Sequence, residues 1–193
     1  MSSALTWEIA PGRKIGDGQP CFVIAEIGSN HNQDFSLAKK TIDAAAEAGV
    51  DAVKFQTFRA ETHYSIHAPS ISSSGSRSTF ELVKSLELDR SWHAPLKKYC
   101  ESLNLIFLSS ACDIEAIDEL NELEIAALKV PSCELSDLGL IRHMAQTGRP
   151  LILSTGLADW MDIQRAIETV SYTHLRAHET LRYLVCRRLL EKK

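Results

Sequence analysis

The sequence predicts an α/β fold built from consecutive βα units, a truncated TIM or (β/α)₈-type barrel holding about five of the eight units and preceded by an N-terminal hairpin. Three observations carry this. Five short apolar runs recur along the chain, at Phe22–Glu26, Ala52–Gln56, Ile106–Ser110, Ala127–Ser132 and Leu151–Ser154. Each is rich in strand-forming residues and is followed by a stretch of helical periodicity, as in parallel βα units. No G-x-G-x-x-G turn follows the first run, which favours a barrel over a dinucleotide-binding sheet. A complete barrel takes about 250 residues, so the 193 residues here are expected to stop short of the last three units.

Taken in order, Trp7 to Pro20 alternates apolar and polar residues around Pro11-Gly12 and reads as a small hairpin that plugs the amino end of the barrel. After the first strand, a helix from about Ser36 to Ala48 is expected, capped by Asp34 or Ser36, with Gly49 at its C′ position. Its Ala38, Ile42 and Ala45 form the stripe facing the sheet. The second strand leads into a long polar loop centred on residues 70–76, then into helical stretches at about Thr79–Leu86 and Ser91–Leu103. Pro95 falls in the first turn of the latter, where a missing N–H costs little. Helices near Asp113–Leu123, Asp137–Gln146 and Asp159–Glu168 complete the alternation, with Asp113 and Asp159 as candidate N-caps.

Composition narrows the class. No apolar run approaches the roughly 18 to 20 residues that span a bilayer, and the N-terminus lacks a signal-peptide pattern. Five cysteines, none in a C-x-x-C pair, suit a reducing compartment, and a net charge of −4 gives no footprint for nucleic acid. A cytoplasmic protein is expected. From Val170 the text changes: Val170 to Thr180 back-translates into a stretch resembling a transposase library adapter. Residues 1–169 are therefore taken as the barrel portion and 170–193 as a non-native read-through tail. His174 and His178, one helical turn apart in that tail, are set aside as metal ligands; a real basic amphipathic helix is the alternative.

Chemistry in barrels sits at the carboxyl ends of the strands, and the runs end there in polar residues. If Lys54 points inward, so does Gln56, while Val53 and Phe55 face the helices. Glu26 then groups with Ile24 and Phe22, and Ser154 with Ile152. Lys54 and Lys129, on the second and fourth strands, can share one layer of the barrel. Two ammonium groups there call for an anion, and a phosphate flanked by the hydroxyls of Ser110, Ser132 and Ser154 fits. Each lysine could instead reach past the strand end to solvent, or one could serve as a Schiff-base amine. Glu26 is either half of a structural ion pair or a general acid/base.

Together these residues resemble the sialic acid synthase family over roughly residues 12–168. Five ordered motifs carry the resemblance: Ala25-Glu26-Ile27-Gly28-Ser29-Asn30-His31-Asn32, Val53-Lys54-Phe55-Gln56-Thr57, Phe107-Leu108-Ser109-Ser110, Leu128-Lys129-Val130-Pro131-Ser132-Cys133-Glu134 and Ile152-Leu153-Ser154-Thr155-Gly156. The resemblance implies a transferase that condenses phosphoenolpyruvate with an N-acylated aldohexose to a nonulosonic acid: carbon 3 attacks the open-chain aldehyde, water adds at carbon 2, and phosphate leaves. It implies Glu26 as the acid/base, Lys54, Ser110, Lys129, Ser132 and Ser154 as phosphoenolpyruvate ligands, and Gln56 and Glu134 lining the substrate site. It also implies a divalent metal, Mn2+ or Mg2+, held by histidines of the sixth and seventh strands, and a homodimer at full length. Those metal ligands lie outside this chain, so no metal is expected to bind it tightly and no activity is expected of it alone. Cys112 and Ala111 stand where many members have Phe and Pro, and Pro131 and Cys133 where small residues are usual; these departures border the sugar side. Cys112 and Cys133 are expected near each other as small buried fillers rather than a zinc pair. A Schiff-base aldolase or lyase, and a non-catalytic fragment, are the alternative readings.

Overall fold

A computed structural model of the chain describes residues 6–70 and 77–174. It opens with an antiparallel hairpin of β1 (Thr6–Ala10) and β2 (Arg13–Gly16). Five parallel strands follow, β3 (Ile24–Gly28), β4 (Ala52–Thr57), β5 (Ile106–Ala111), β6 (Leu128–Val130) and β7 (Leu151–Leu153), joined in that spatial order. The helices between them are α1 (Phe35–Glu47), α2 (Ala60–His63), α3 (Thr79–Lys84), α4 (His93–Ser102), α5 (Ile114–Glu122), α6 (Leu138–Gln146) and α7 (Trp160–His174). Sequential neighbours pairing in parallel through helical crossovers is the βα-barrel order. Among the described residues β3 pairs only with β4 and β7 only with β6.

Local chemistry sets the helix starts. Asp34 accepts from the N–H groups of Ser36 and Leu37, Asp113 from Ala116, Asp137 from Leu140 and Asp159 from Asp162. Ser78 and Glu81 form a reciprocal capping box on α3. Ala38, Ile42 and Ala45 of α1 are buried against the sheet, and Gly49 takes a φ of 73° beyond the helix end. The strand alternation holds. Val53, Phe55, Phe107, Leu128 and Val130 join the helices in the main core. Ala52, Leu108 and Ala127 turn to the other face, with Ile24, Ile106 and Ile152 around them.

The hairpin covers the amino end of that inner face. Ile9 is buried against Ala52, Leu108 and Ala127, with Ile15 and Phe22 beside it. Arg13 fixes the hairpin in place: its Nε donates to Asp51 Oδ1 at 2.9 Å and its Nη2 to the Cys21 carbonyl at 2.9 Å. The same Asp51 accepts from the Val23 N–H at 2.7 Å, and the Arg13 hydrogen bond holds its carboxyl below the usual range.

Some boundaries differ from the sequence reading. The first parallel strand starts at Ile24 rather than Phe22, because Asp51 captures the Val23 N–H before ladder pairing begins. The stretch read as one helix from Ser91 is a 3₁₀ turn at Arg90–Trp92 running into α4. Helix α7 continues through His174, past the position where the tail was set. Residues 71–76 of the polar loop, and 175–193 of the tail with His178, lie outside the described residues. Among the described residues no helix is long and apolar enough to cross a membrane.

Candidate functional site

Each inward row of side chains changes character along its strand. On β4 it runs Ala52, Lys54, Gln56; on β5 Ile106, Leu108, Ser110; β6 and the residue before it give Ala127, then Lys129. Lys54 lies level with Glu26 and Leu108 in the hydrogen-bond register, while Lys129 lies level with Ser110. That places Lys129 two residues further along across two strand steps. A barrel of eight strands and shear 8 staggers by one residue per strand, so this offset puts both lysines in one layer.

Lys54 is almost fully buried and does not stand bare. Its ammonium forms an ion pair with Glu26 Oε2 and donates to Ser110 Oγ at 3.1 Å. A buried cation needs this kind of pairing, since desolvation otherwise outweighs the gain. The Glu26 side chain remains half exposed, so one partner of the pair faces the open mouth. Gln56 lies beside it: a Cβ placed on Gly28 would sit 3.6 Å from Glu26 Oε1 and 3.8 Å from Gln56 Nε2. Gly28 itself has a φ of 57°, the left-handed region where glycine alone turns without strain.

Lys129 titrates far below its ordinary value, at about 8. Burial is the largest cause and the Lys54 ammonium the next, with Glu26 pulling the other way. Its Nζ donates to the Val130 carbonyl at 2.6 Å. That carbonyl also accepts the Ser154 N–H at 3.1 Å, just past β7. Ser132 and Glu134 occupy a 3₁₀ turn after β6, and a Cβ on Gly156 would lie 3.7 Å from Ser132 Oγ. The fold thus gathers Glu26, Lys54, Gln56 and Ser110 in one contact group, couples Lys129 to it, and sets the β7 loop against Ser132. Glu134 stands to one side, where His63 Nε2 of α2 approaches its Oε1 at 3.2 Å.

Cys112 and Cys133 are both free thiols; Cys112 is half-buried, but Cys133 is exposed and is not the buried filler expected of it. Burial, then nearby Glu134 and Cys133, pushes Cys112 up to about 12; burial raises Cys133 as well. Neither is a ready nucleophile at neutral pH. Among the described residues no three His, Cys, Asp or Glu side chains converge to hold a metal ion. The donors gathered among the described residues do not fit such a group.

Sequence reasoning missed the polar layer behind the site. His93 Nε2 lies 2.8 Å from Thr57 Oγ1, which lies 2.8 Å from Ser109 Oγ, all three buried between β4, β5 and α4. Burial brings His93 down to about 4, so the imidazole is neutral there. Arg90 spans Asp113 at 2.6 Å and Glu119 at 3.3 Å next to it. His31 is enclosed by Phe55 and Trp92, and its Nδ1 accepts the Gln33 N–H at 3.1 Å, shaping the loop after β3. Thr57, Ser109 and His31 stood inside the quoted motifs, but nothing in the sequence marked them as partners of a buried polar layer.

The sheet order, the sealed amino end and the polar carboxyl end define a βα-barrel-type protein whose candidate site lies at the strand carboxyl ends. Comparison with known proteins makes this specific. Residues 41–187 match the NeuB family. The chain is 39% identical over 165 residues to the N,N'-diacetyllegionaminic acid synthase of Legionella pneumophila, a match that covers 80% of this chain and 45% of that protein. Among solved structures it resembles the spore coat polysaccharide biosynthesis protein of Bacillus subtilis (38% identity, TM-score 0.72, 88% of this chain and 45% of that one). It also resembles the N-acetylneuraminic acid synthetase of Leptospira borgpetersenii (29% identity, TM-score 0.78, 88% and 56%). The chain belongs to the NeuB family and spans about half the length of the relatives it matches.

Proposed function

We propose that this chain is the amino-terminal portion of a phosphoenolpyruvate-dependent nonulosonic acid synthase. Such a transferase condenses phosphoenolpyruvate with an N-acylated aldohexose and releases phosphate. The observation that carries the reading is the pair of lysines in one inward layer, close enough for Lys54 to depress Lys129. A doubly charged enol phosphate supplies counter-charge to Lys129 and adds to what Glu26 gives Lys54, and the Ser110, Ser132 and Ser154 hydroxyls add neutral donors. In this reading Glu26 exchanges a proton with the acceptor sugar from the open side of its ion pair. Gln56 and Glu134 face the same sugar. The divalent metal of the family would be held by other parts of the full barrel, and the dimer would form there too. In this reading the functional part is residues 1–169, although the family match runs on to residue 187 and α7 to His174; the encoding DNA across codon 170 tests whether the rest is read-through.

The test is calorimetric titration of phosphoenolpyruvate into the chain, repeated on Lys54→Met and Lys129→Met. Each loss of a charged hydrogen-bonding partner should weaken binding by roughly thirtyfold or more. Equal affinity in wild type and both variants would sink the assignment. With Mn2+ and N-acetylmannosamine added, the chain by itself should release no phosphate. A second reading rests on the depressed Lys129: an amine near 8 is also how a Schiff-base lysine is prepared. Borohydride with pyruvate separates the two, since only an imine is trapped as a covalent adduct on Lys129.

A further inference from the structure

The reading above leaves His63 without a role, although α2 carries it across the mouth of the sheet. It belongs to the connection after β4, yet its partner Glu134 belongs to the turn after β6, with β5 in between. His63 and Glu134 side chains are both mostly buried, at 17% and 18% exposed. The ring is held from two sides. Its Nδ1 lies 3.0 Å from Thr62 Oγ1, and Phe58 and Tyr64 pack near its faces at 6.4 and 6.5 Å.

The hydrogen bonds of Thr62 fix the Nδ1 side of the ring. The single Thr62 hydroxyl proton goes to the Arg59 carbonyl at 3.0 Å, so Thr62 Oγ1 accepts from Nδ1–H. His63 Nε2 lies 3.2 Å from Glu134 Oε1, a close contact between two mostly buried side chains that is not aligned as a hydrogen bond. Nε2 makes no aligned hydrogen bond to any group among the described residues, so the polar group it faces across β5 is the Glu134 carboxylate.

We propose that His63 is a positioning residue for the acceptor side of the site: it ties α2 over β5 to the β6 turn and sets the direction of the Glu134 carboxylate. This rests on the reading that places Glu134 against the sugar. The phosphate side, built on Lys54 and Lys129, does not touch His63, so the two halves of the site respond separately.

The experiment uses the full chain as wild type, His63→Ala, His63→Gln, Glu134→Gln and the His63→Ala/Glu134→Gln double variant. Amide hydrogen exchange of residues 58–66 should quicken roughly tenfold in either alanine or Glu134 variant. The double variant should be no faster than the faster single one, the non-additivity of a direct contact. Affinity for N-acetylmannosamine should fall about tenfold in His63→Ala and recover in part in His63→Gln, which keeps an N–H donor. Affinity for inorganic phosphate should stay within about twofold of wild type, as expected for a group outside that contact set. Unchanged exchange in His63→Ala, additive effects in the double variant, or a matching fall in phosphate affinity would overturn the proposal. If His63→Ala does not fold, His63→Gln against Glu134→Gln gives the same exchange comparison. Should wild type bind phosphate but no sugar, the placement of Glu134 falls and this proposal falls with it. Should phosphate itself fail to bind, the functional reading fails while the exchange data still judge the tether.

Discussion

The two ends of the parallel sheet use the same inward-facing rows for opposite purposes. At the amino end Ala52, Leu108 and Ala127 sit dry beneath Ile9 of the hairpin. One alternation further on, Lys54, Ser110 and Lys129 gather charge and hydroxyls at the mouth, and the buried Lys54 is compensated by Glu26. A shift of two residues, about 7 Å along a strand, separates packing from chemistry. The lower layer carries the stability that lets the upper one hold two cations close together. Stability and binding should therefore be separable by choosing which end to change.

The sharpest test of that separation is Leu108→Ala. Leu108 is fully buried in the dry layer, and its truncation should cost about 3 kcal/mol in denaturant unfolding. The affinity of the folded fraction for phosphate should stay near wild type. A loss under about 1 kcal/mol, or a parallel collapse of phosphate binding at full occupancy of the folded state, would break the comparison.

Next comes pH at the polar end. Lys129 titrates at about 8 in the fold against an ordinary value above 10. Between those values the unfolded chain holds more protons, so stability should rise with pH across that window and be lowest below it. Anion binding should move the other way, because it needs the charged amine. Sulfate, which does not itself titrate there, should bind about tenfold more weakly at pH 9 than at pH 7. Flat sulfate affinity across this range would remove Lys129 from the anion site.

The smallest effect is expected at the turn that leaves β3. Gly28→Ala should cost about 1 kcal/mol through its positive φ. The added Cβ meets Glu26 and Gln56 only at ordinary contact distance. Unfolding midpoints read this directly. A cost several times larger would mean that the Glu26–Gln56 contact is tighter than the geometry indicates.

Period-two alternation made the barrel order and both lysines legible, because one inward residue fixes every second one on its strand. The N-caps at Asp34, Asp113 and Asp159 were legible for a similarly local reason. What escaped depends on distant pairing. His63 and Glu134 are 71 positions apart, and nothing near His63 announces its partner. Glu26 and Lys54 were each picked out, but their direct ion pair follows from the β3–β4 register, which no single segment encodes. The Thr57–His93–Ser109 group drew no notice because polar residues facing helices break the expected apolar pattern.

The open ladder has one more consequence. Among the described residues, β3 and β7 each present an outer row of backbone amides and carbonyls with no strand beside it. Five-residue β3 is the longer template and three-residue β7 the shorter. Such rims are ready templates for any extended segment, so a scattering signal that grows with protein concentration is the expected outcome for the chain alone.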